Sequence, residues 1–434
     1  MIRRFAMLLC LIPFQLAGAS PADALIARYS SAYRALDMGY LSLPYQENIA
    51  NLVRETSAAA QKPFFSGVAR ELQQLDRSGL SVCQQLDLER IAFETGANLH
   101  KLAVLDQFAA LGDKAVVTDQ GLHGMPLGRQ WYLYFLKRWL TSDVTPEQLM
   151  ASGRTELASV QARYRRLQAA MGYAGKDEAF YAYLKSAQFM YPAGQTPQAD
   201  YEARQITVFT NLPKLFPAHA IKPAAVREST RGAAFPADGY YDSGTFYFNK
   251  NGAAYQKRNV DMLLLHESTP GHHFQSHYAA QAKGCPAVLP PVFYSAFAEG
   301  WSAYVEEFGR ELGVYRQPSD ELGAVEWDLV RSIRVVLDVG INYEGWNEQQ
   351  AHAYWREQLP MLPQLAEREI TRVRNWPVQA ITYKYGSAVI RQLRAAEQAR
   401  LGSAFDIRTF HDTLLRNGSL PMAVLPTLYA SKQR

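Results

Sequence analysis

The sequence has little net charge and lacks a cluster of lysine and arginine residues of the kind that follows a phosphate backbone. Its 434 residues include 45 Lys and Arg against 41 Asp and Glu, which leaves a formal charge of +4. A dedicated nucleic-acid-binding protein needs a strongly basic surface along the phosphate backbone, so we expect no nucleic-acid partner. Hydrophobic residues make up 48% and charged residues 20% of the chain. These values are close to the globular average and exclude a disordered, collagen-like or coiled-coil protein.

Long apolar runs are scarce, and the one exception stands at the N-terminus. Arg3 and Arg4 precede an apolar run over residues 5–17, and the small residues 17–19 complete it. This order is typical of a secretory signal peptide and predicts the removal of residues 1–19. No other segment is long and apolar enough to span a bilayer. We therefore expect an exported protein, periplasmic or secreted, without stable membrane insertion.

Cysteine is scarce too, with three residues in the whole chain. Cys10 would carry the lipid of a lipoprotein, but Leu9 stands where a lipid-attachment site has a small residue. Cleavage after residue 19 leaves Cys83 and Cys285. In an oxidising compartment these two either pair or remain as two buried free thiols, and the sequence leaves both interpretations open.

Helical periodicity runs through most of the chain, where apolar residues recur at three- and four-residue spacing. Thr145 followed by Pro146 is typical of an N-cap and a first helical position, so a long helix is expected to begin there. Residues 239–249 are rich in glycine and aromatic residues and predict a hairpin that turns at residues 242–244. Without an internal repeat or a low-complexity linker, the sequence predicts an all-α fold with a minor β-hairpin, in one domain over residues 20–434.

Four of the nine histidines lie within residues 266–277, and three of them belong to the segment Leu-Leu-Leu-His-Glu-Ser-Thr-Pro-Gly-His-His at residues 263–273. A His-Glu pair after an apolar run is typical of a zincin helix, where two imidazoles bind Zn²⁺ and the glutamate is the general base. His266 and Glu267 form such a pair, but Pro270 occupies the place of the usual second histidine. The pair by itself favours a structural interpretation, in which the histidines lie at a helix end and their ring nitrogens are hydrogen-bonded within the protein.

The spacing of the histidines decides which of them can share a metal with His266. Two ligands of one Zn²⁺ bring their nitrogen atoms to within roughly 3–4 Å of each other. On a straight helix neither His272 nor His273 comes that close to His266. A bulge in the helix at Pro270 and Gly271 would loop out two residues and bring His272 to the ligand position, and His273 is the alternative.

A third zinc ligand is often a carboxylate from a following helix. Glu299 lies 33 positions after His266, among apolar residues of a predicted helix. An unpaired buried carboxylate is costly, and binding to a metal would explain its position. The alternative is a glutamate that pairs with an arginine or a tyrosine.

These residues resemble a known family, DUF885, whose members are zincin-like and are expected to be metallopeptidases. The resemblance rests on His-Glu-x-x-Pro-Gly-His-His-x-Gln at residues 266–275 and Glu-Gly-Trp-x-x-Tyr at residues 299–304. It continues through blocks within residues 322–340, 372–386 and 410–421. It covers residues 128–430, and residues 20–127 match poorly.

The resemblance implies a helical gluzincin with a deep channel, and it favours His272 over His273 as the ligand. One departure concerns the family pattern Asp-x-Gly-x-His, which ends here in Asn342. An asparagine there would donate a hydrogen bond but carry no proton. Asn342 is therefore expected at the active site only as a helper.

The expected mechanism uses a zinc-activated water, with Glu267 as the general base. Tyr383 is expected to donate to the negative charge that develops on the substrate, with Asn342 or Arg372 as helpers. Arg372 and Tyr247 are further expected to contact the substrate. Two other arginines, 331 and 334, either bind a substrate carboxylate or have a structural role. The spacing favours the structural role, with residue 334 paired to the aspartate at 338.

The sequence therefore predicts an exported zinc-dependent peptidase that acts on short peptides. One alternative is a zinc amidase that acts on a non-peptide or cell-wall amide. A second alternative is a non-catalytic helical binding protein that has kept a zinc site.

Overall fold

The three- and four-residue apolar spacing builds helices along the whole described chain. The computed structural model describes residues 20–36, 38, 41–55, 57–192, 194–231, 237–250 and 255–430. The predicted signal peptide, residues 1–19, lies outside them. The helices before the strands are α1 (Pro21–Ala35), α2 (Tyr45–Val53), α3 (Ala58–Gln74), α4 (Val82–Ala109), α5 (Gly128–Phe135), α6 (Pro146–Ala170), α7 (Asp177–Leu184) and α8 (Gln198–Asn211). Those after them are α9 (Asn259–Glu267), α10 (His272–Gln281), α11 (Ser295–Val305), α12 (Pro318–Val339), α13 (Glu348–Gln358), α14 (Ala366–Asn375), α15 (Thr382–Leu401), α16 (Ile407–Leu415) and α17 (Thr427–Ala430).

Side-chain caps explain where several helices begin. Thr145 accepts a hydrogen bond from the backbone N–H of Gln148, and Pro146 takes the first position of α6, as the sequence predicts. Ser81 caps α4 in the same way through Gln84. Each cap satisfies a backbone donor that the helix itself cannot pair. None of the helices in the described ranges is long and apolar enough to cross a membrane.

A small sheet interrupts the helices. Its strands are β1 (Ala225–Glu228), β2 (Gly239–Asp242) and β3 (Thr245–Phe248), in the order β1-β3-β2. β2 and β3 form the predicted antiparallel hairpin, which turns at Ser243 and Gly244 with positive φ angles of 45° and 87°. β1 lies parallel to β3 and was not predicted from the sequence. The prediction of a mainly helical fold with a minor β element is confirmed.

Close helix packing positions the segments that carry the predicted site residues. A Cβ atom at Gly300 of α11 would lie 2.5 Å from the Cα atom of Gly386 of α15, so only glycine permits this crossing. On α11, the indole N–H of Trp301 donates to the carbonyl of Pro270 at 2.8 Å. This contact holds α11 against the connection between α9 and α10.

A disulfide joins the N-terminal helices to the rest of the fold. Cys83, in the first turn of α4, is bonded to Cys285, which follows α10. The pairing answers the question that the sequence leaves open. It links two segments that are 202 positions apart.

Candidate metal centre

A break between two helices brings His272 back to His266. α9 ends at Glu267 and α10 begins at His272, so the segment from Ser268 to Gly271 separates two helices and is not a bulge within one. The imidazole rings of His266 and His272 lie 4.9 Å apart, centre to centre. Gly271 makes this return possible, because a Cβ atom there would lie 1.8 Å from the carbonyl oxygen of His266.

Glu299 completes a group of three side chains with these histidines. Its Oε2 atom lies 3.4 Å from Nε2 of His266 and 3.3 Å from Nε2 of His272. One atom from each of the three side chains lies within 4.8 Å of the others. Tetrahedral ligands at zinc bond lengths are about 3.3 Å apart, so this spacing fits a shared Zn²⁺.

The environment of Glu299 also fits a cation. Its Oε2 atom is buried and has no hydrogen-bond partner. Burial by itself would raise the pKa of the Glu299 carboxyl, but His272 and His266 outweigh it and hold this pKa far below its usual range. Burial by itself would lower the pKa of His266, but Glu299 and Glu306 raise it to about 9. The carboxylate therefore favours positive charge at the point between the three side chains.

Glu306 orients His266 from the opposite side of the ring. Its Oε1 atom lies 2.7 Å from Nδ1 of His266. Arg331 Nη1 donates to both carboxylate oxygens of Glu306, at 2.8 and 2.7 Å. A carboxylate on Nδ1 fixes the ring so that Nε2 faces Glu299. Sequence reasoning missed Glu306, although it lies seven positions after Glu299, a spacing that nearly returns to the same helix face.

Glu267 adjoins His266 at the last residue of α9 and is 8% exposed. Among the described residues, its carboxylate has no hydrogen-bond partner. Its carboxylate lies close enough to His266 for its negative charge to help raise the pKa of that imidazole.

Tyr383 lies in the first turn of α15 and faces the same group. Its ring stacks on that of His266, with centres 6.0 Å apart and planes at 23°. Its hydroxyl oxygen accepts a hydrogen bond from Nη2 of Arg372 at 3.3 Å. Burial, and after it the charge of Glu299, raises the pKa of Tyr383, so the phenol keeps its proton at neutral pH. The tyrosine is thus a hydrogen-bond donor beside His266.

His273, the alternative to His272, points elsewhere. Its Nε2 atom lies 2.8 Å from the carbonyl of Lys222, and its Nδ1 atom lies 3.4 Å from the hydroxyl of Tyr241 on β2. Both ring nitrogens are therefore engaged with the segment before β1 and with the sheet.

Two other expected site residues make no contact with this group among the described residues. The amide nitrogen of Asn342 donates to the carbonyl of Val373 at 3.0 Å, and its oxygen accepts from the N–H of Leu122 at 3.3 Å. Fully buried with both ends engaged, Asn342 is not placed to donate to a substrate, which corrects the expectation from the sequence. Tyr247 stacks on Tyr240 within the sheet, at 4.9 Å and 15°. Its contacts in the described chain do not reach the histidines.

The prediction of an ion pair between Arg334 and Asp338 is wrong. Arg334 pairs with Glu369 at 2.6 Å. Asp338 accepts hydrogen bonds from the hydroxyl of Tyr132 and from the N–H of Val378, both at 2.8 Å. Burial raises the pKa of Asp338 to about 7. Its two neutral donors stabilise the carboxyl group without an ion pair.

Comparisons with known proteins agree on a family and a fold. A model of the family described as "Bacterial protein of unknown function (DUF885)" matches residues 41–428, further toward the N-terminus than the range of 128–430 that the motifs indicated. The fold is similar to that of a "putative lipoprotein" from Colwellia psychrerythraea, at 25% identity and a TM-score of 0.66, over 93% of this chain and 72% of that one. It is also similar to a "putative lipoprotein of unknown function" from Shewanella oneidensis, at 21% identity and a TM-score of 0.57, over 94% of this chain and 77% of that one. No curated protein matches the chain.

Proposed function

The chain belongs to the DUF885 family of bacterial proteins, and we propose that it is an exported zinc-dependent peptidase with a zincin-like site that acts on short peptides. The observation that carries the proposal is the buried Oε2 atom of Glu299, which faces two imidazole nitrogens and has no hydrogen-bond partner. A buried carboxylate in this state is costly unless a positive charge faces it, either the proton on His266 or a bound metal cation.

His266, His272 and Glu299 would hold the metal. Two nitrogen ligands and one carboxylate are a donor set of catalytic zinc sites, which keep one position open for water or substrate. Zinc bound there supplies a water of lowered pKa and a positive charge that polarises the carbonyl group of the scissile bond. Glu306 and Arg331 hold the ring of His266 from behind.

Glu267 would transfer the proton, and Tyr383 would donate a hydrogen bond to the substrate. Glu267 accepts the proton of the attacking water and passes it to the leaving amine, a role that needs a carboxylate without a fixed partner. Tyr383 donates a hydrogen bond to the carbonyl oxygen of the substrate as negative charge develops on it. Its raised pKa keeps the required proton in place.

Three observations support the export of the protein. The basic head and apolar run of residues 1–19 have the layout of a signal peptide. The disulfide between Cys83 and Cys285 belongs to an oxidising compartment. The descriptions of both structural neighbours as lipoproteins agree with a protein that leaves the cytoplasm.

A peptide-library digest tests the proposed activity. The purified protein is incubated with short peptides, with and without a chelator, and zinc is then added back to the chelated sample. We expect cleavage that the chelator stops and zinc restores. Cleavage that persists under chelation would exclude a zinc peptidase. Intact peptides with cleavage of a non-peptide amide would indicate an amidase, and bound metal without any hydrolysis would indicate a binding protein.

A further inference from the structure

Three arginines surround the ring of Tyr383 beside the candidate metal centre. The guanidinium carbon atoms of Arg331, Arg334 and Arg372 lie 5.4, 5.9 and 5.8 Å from the centre of that ring. Such a concentration of positive charge next to a buried site needs counter-charges, so the partners of each arginine matter.

Two of the three arginines have their counter-charge within the protein. Arg331 pairs with Glu306 at 2.7 Å. Arg334 pairs with Glu369 at 2.6 Å, and Arg368 shares the same carboxylate at 3.0 Å. One glutamate thus serves two guanidinium groups, which leaves an excess of positive charge on this side of the site.

Arg372 has no carboxylate partner among the described residues. Its Nε atom is buried and without a hydrogen-bond partner, and its Nη2 atom donates only to the neutral hydroxyl of Tyr383. The guanidinium also lies 4.8 Å from the ring of Trp376, which holds it in place without neutralising it. A buried donor without a partner is costly, and a bound anion would satisfy it.

We propose that Arg372 binds the free α-carboxylate of a peptide substrate, so that the protein is an exopeptidase acting at the C-terminus. This inference rests on the proposed peptidase function. An arginine fork matches a carboxylate through two parallel hydrogen bonds. Arg372 is linked to His266 through the ring of Tyr383, by separations of 5.8 and 6.0 Å, and therefore lies within about 12 Å of His266. An extended peptide rises about 3.3–3.6 Å per residue, so this distance allows about one to three residues after the cleaved bond.

The test compares two peptides of one sequence, with a free or an amidated C-terminus. We expect wild-type kcat/KM to favour the free acid by roughly 10- to 100-fold, the range of a charge-assisted hydrogen bond. Arg372→Gln should remove this preference, mainly by raising KM for the free acid. Arg374→Gln on the same helix is the matched control and should keep the preference. Equal cleavage of both peptides by the wild type would overturn the inference and leave the peptidase function standing.

A binding measurement separates the two proposals. Calorimetry with zinc-loaded Glu267→Gln protein should give at least roughly 10-fold tighter binding of the free acid than of the amide. That preference without any wild-type hydrolysis would support the carboxylate site and exclude the peptidase. Equal binding of both peptides, or no binding, would overturn the carboxylate site. If Arg372→Gln does not fold, Arg372→Lys serves instead, because it keeps the charge but loses the fork, and it should weaken the preference.

Discussion

Glu94 is buried, and the half-buried Glu299 has its Oε2 atom buried as well, yet the surroundings of the two carboxylates differ in one respect. Glu94 lies on α4, where Arg138 donates to both of its carboxylate oxygens at 2.9 and 3.0 Å. The hydroxyls of Tyr294 and Tyr33 donate to it as well, at 2.9 and 3.2 Å. Glu299 instead has two imidazoles near Oε2, and that atom has no hydrogen bond.

The difference shows which of the two carboxylates has a permanent counter-charge. A guanidinium carries its charge at every physiological pH, so Glu94 is neutralised by the fold. An imidazole supplies a positive charge only when it is protonated, so Glu299 depends either on the proton that the raised pKa of about 9 keeps on His266 or on a bound cation. A structural role is sufficient for the first glutamate. The second has a counter-charge that a metal cation can replace, because zinc binding would displace the proton from His266.

The largest loss of activity is expected for Glu267→Gln, a substitution that tests whether the region around Glu299 is catalytic. Glu267→Gln removes a base but no ligand, so hydrolysis should fall by roughly 10²–10⁴. Bound zinc, measured by atomic absorption, should be unchanged. Parallel loss of metal and activity would place Glu267 among the ligands instead.

Tyr383→Phe removes one donor beside the same region and keeps the ring. We expect kcat to fall by roughly 10²–10³ with little change in KM, because the hydrogen bond forms as charge develops. Tyr385→Phe is the matched control, since its hydroxyl donates to Ser142 instead. If both variants retain normal kcat, the donor role assigned to Tyr383 is wrong.

Glu94→Ala tests whether the Glu94 carboxylate has a structural role only. It leaves Arg138 without its carboxylate, so the free energy of unfolding should fall by about 3 kcal/mol in chemical denaturation. Bound zinc should not change. Glu89→Ala on the same helix breaks only an exposed ion pair with Arg77 and should cost about 0–1 kcal/mol. Zinc loss in folded Glu94→Ala protein would show that the two regions are not independent.

Glu306→Gln tests whether Glu306 orients the ring of His266 for metal binding. A neutral amide keeps the volume but weakens the hold on Nδ1, so zinc affinity should fall by roughly 10- to 100-fold in a chelator competition. Glu307→Gln is the control, because this neighbour pairs with Arg391. Equal affinities in both variants would remove Glu306 from the metal site.

The sequence predicts local features better than long-range partners. The Pro270-Gly271 step indicated that His272 returns to His266, because the backbone consequence of those two residues is local. Arg334 pairs with Glu369, 35 positions later, and not with Asp338, because Asp338 is held by Tyr132 and by a backbone N–H. The spacing of residues along one helix contains no information about such partners.

The same limit explains the other differences from the sequence analysis. Asn342 was expected at the active site by likeness to a family position, yet backbone groups of Leu122 and Val373 occupy its amide. β1 was missed because its four residues acquire a strand conformation only by pairing with β3, about 20 positions later.

The metal content of protein purified without added zinc tests the central claim most directly. The wild type and Glu94→Ala should each carry about one equivalent of metal, because three ligands are present in both. His266→Ala and Glu299→Ala should carry none, while circular dichroism shows that they remain folded. A full equivalent of metal in both of these variants, or a wild type that binds no zinc even when it is supplied, would contradict the account.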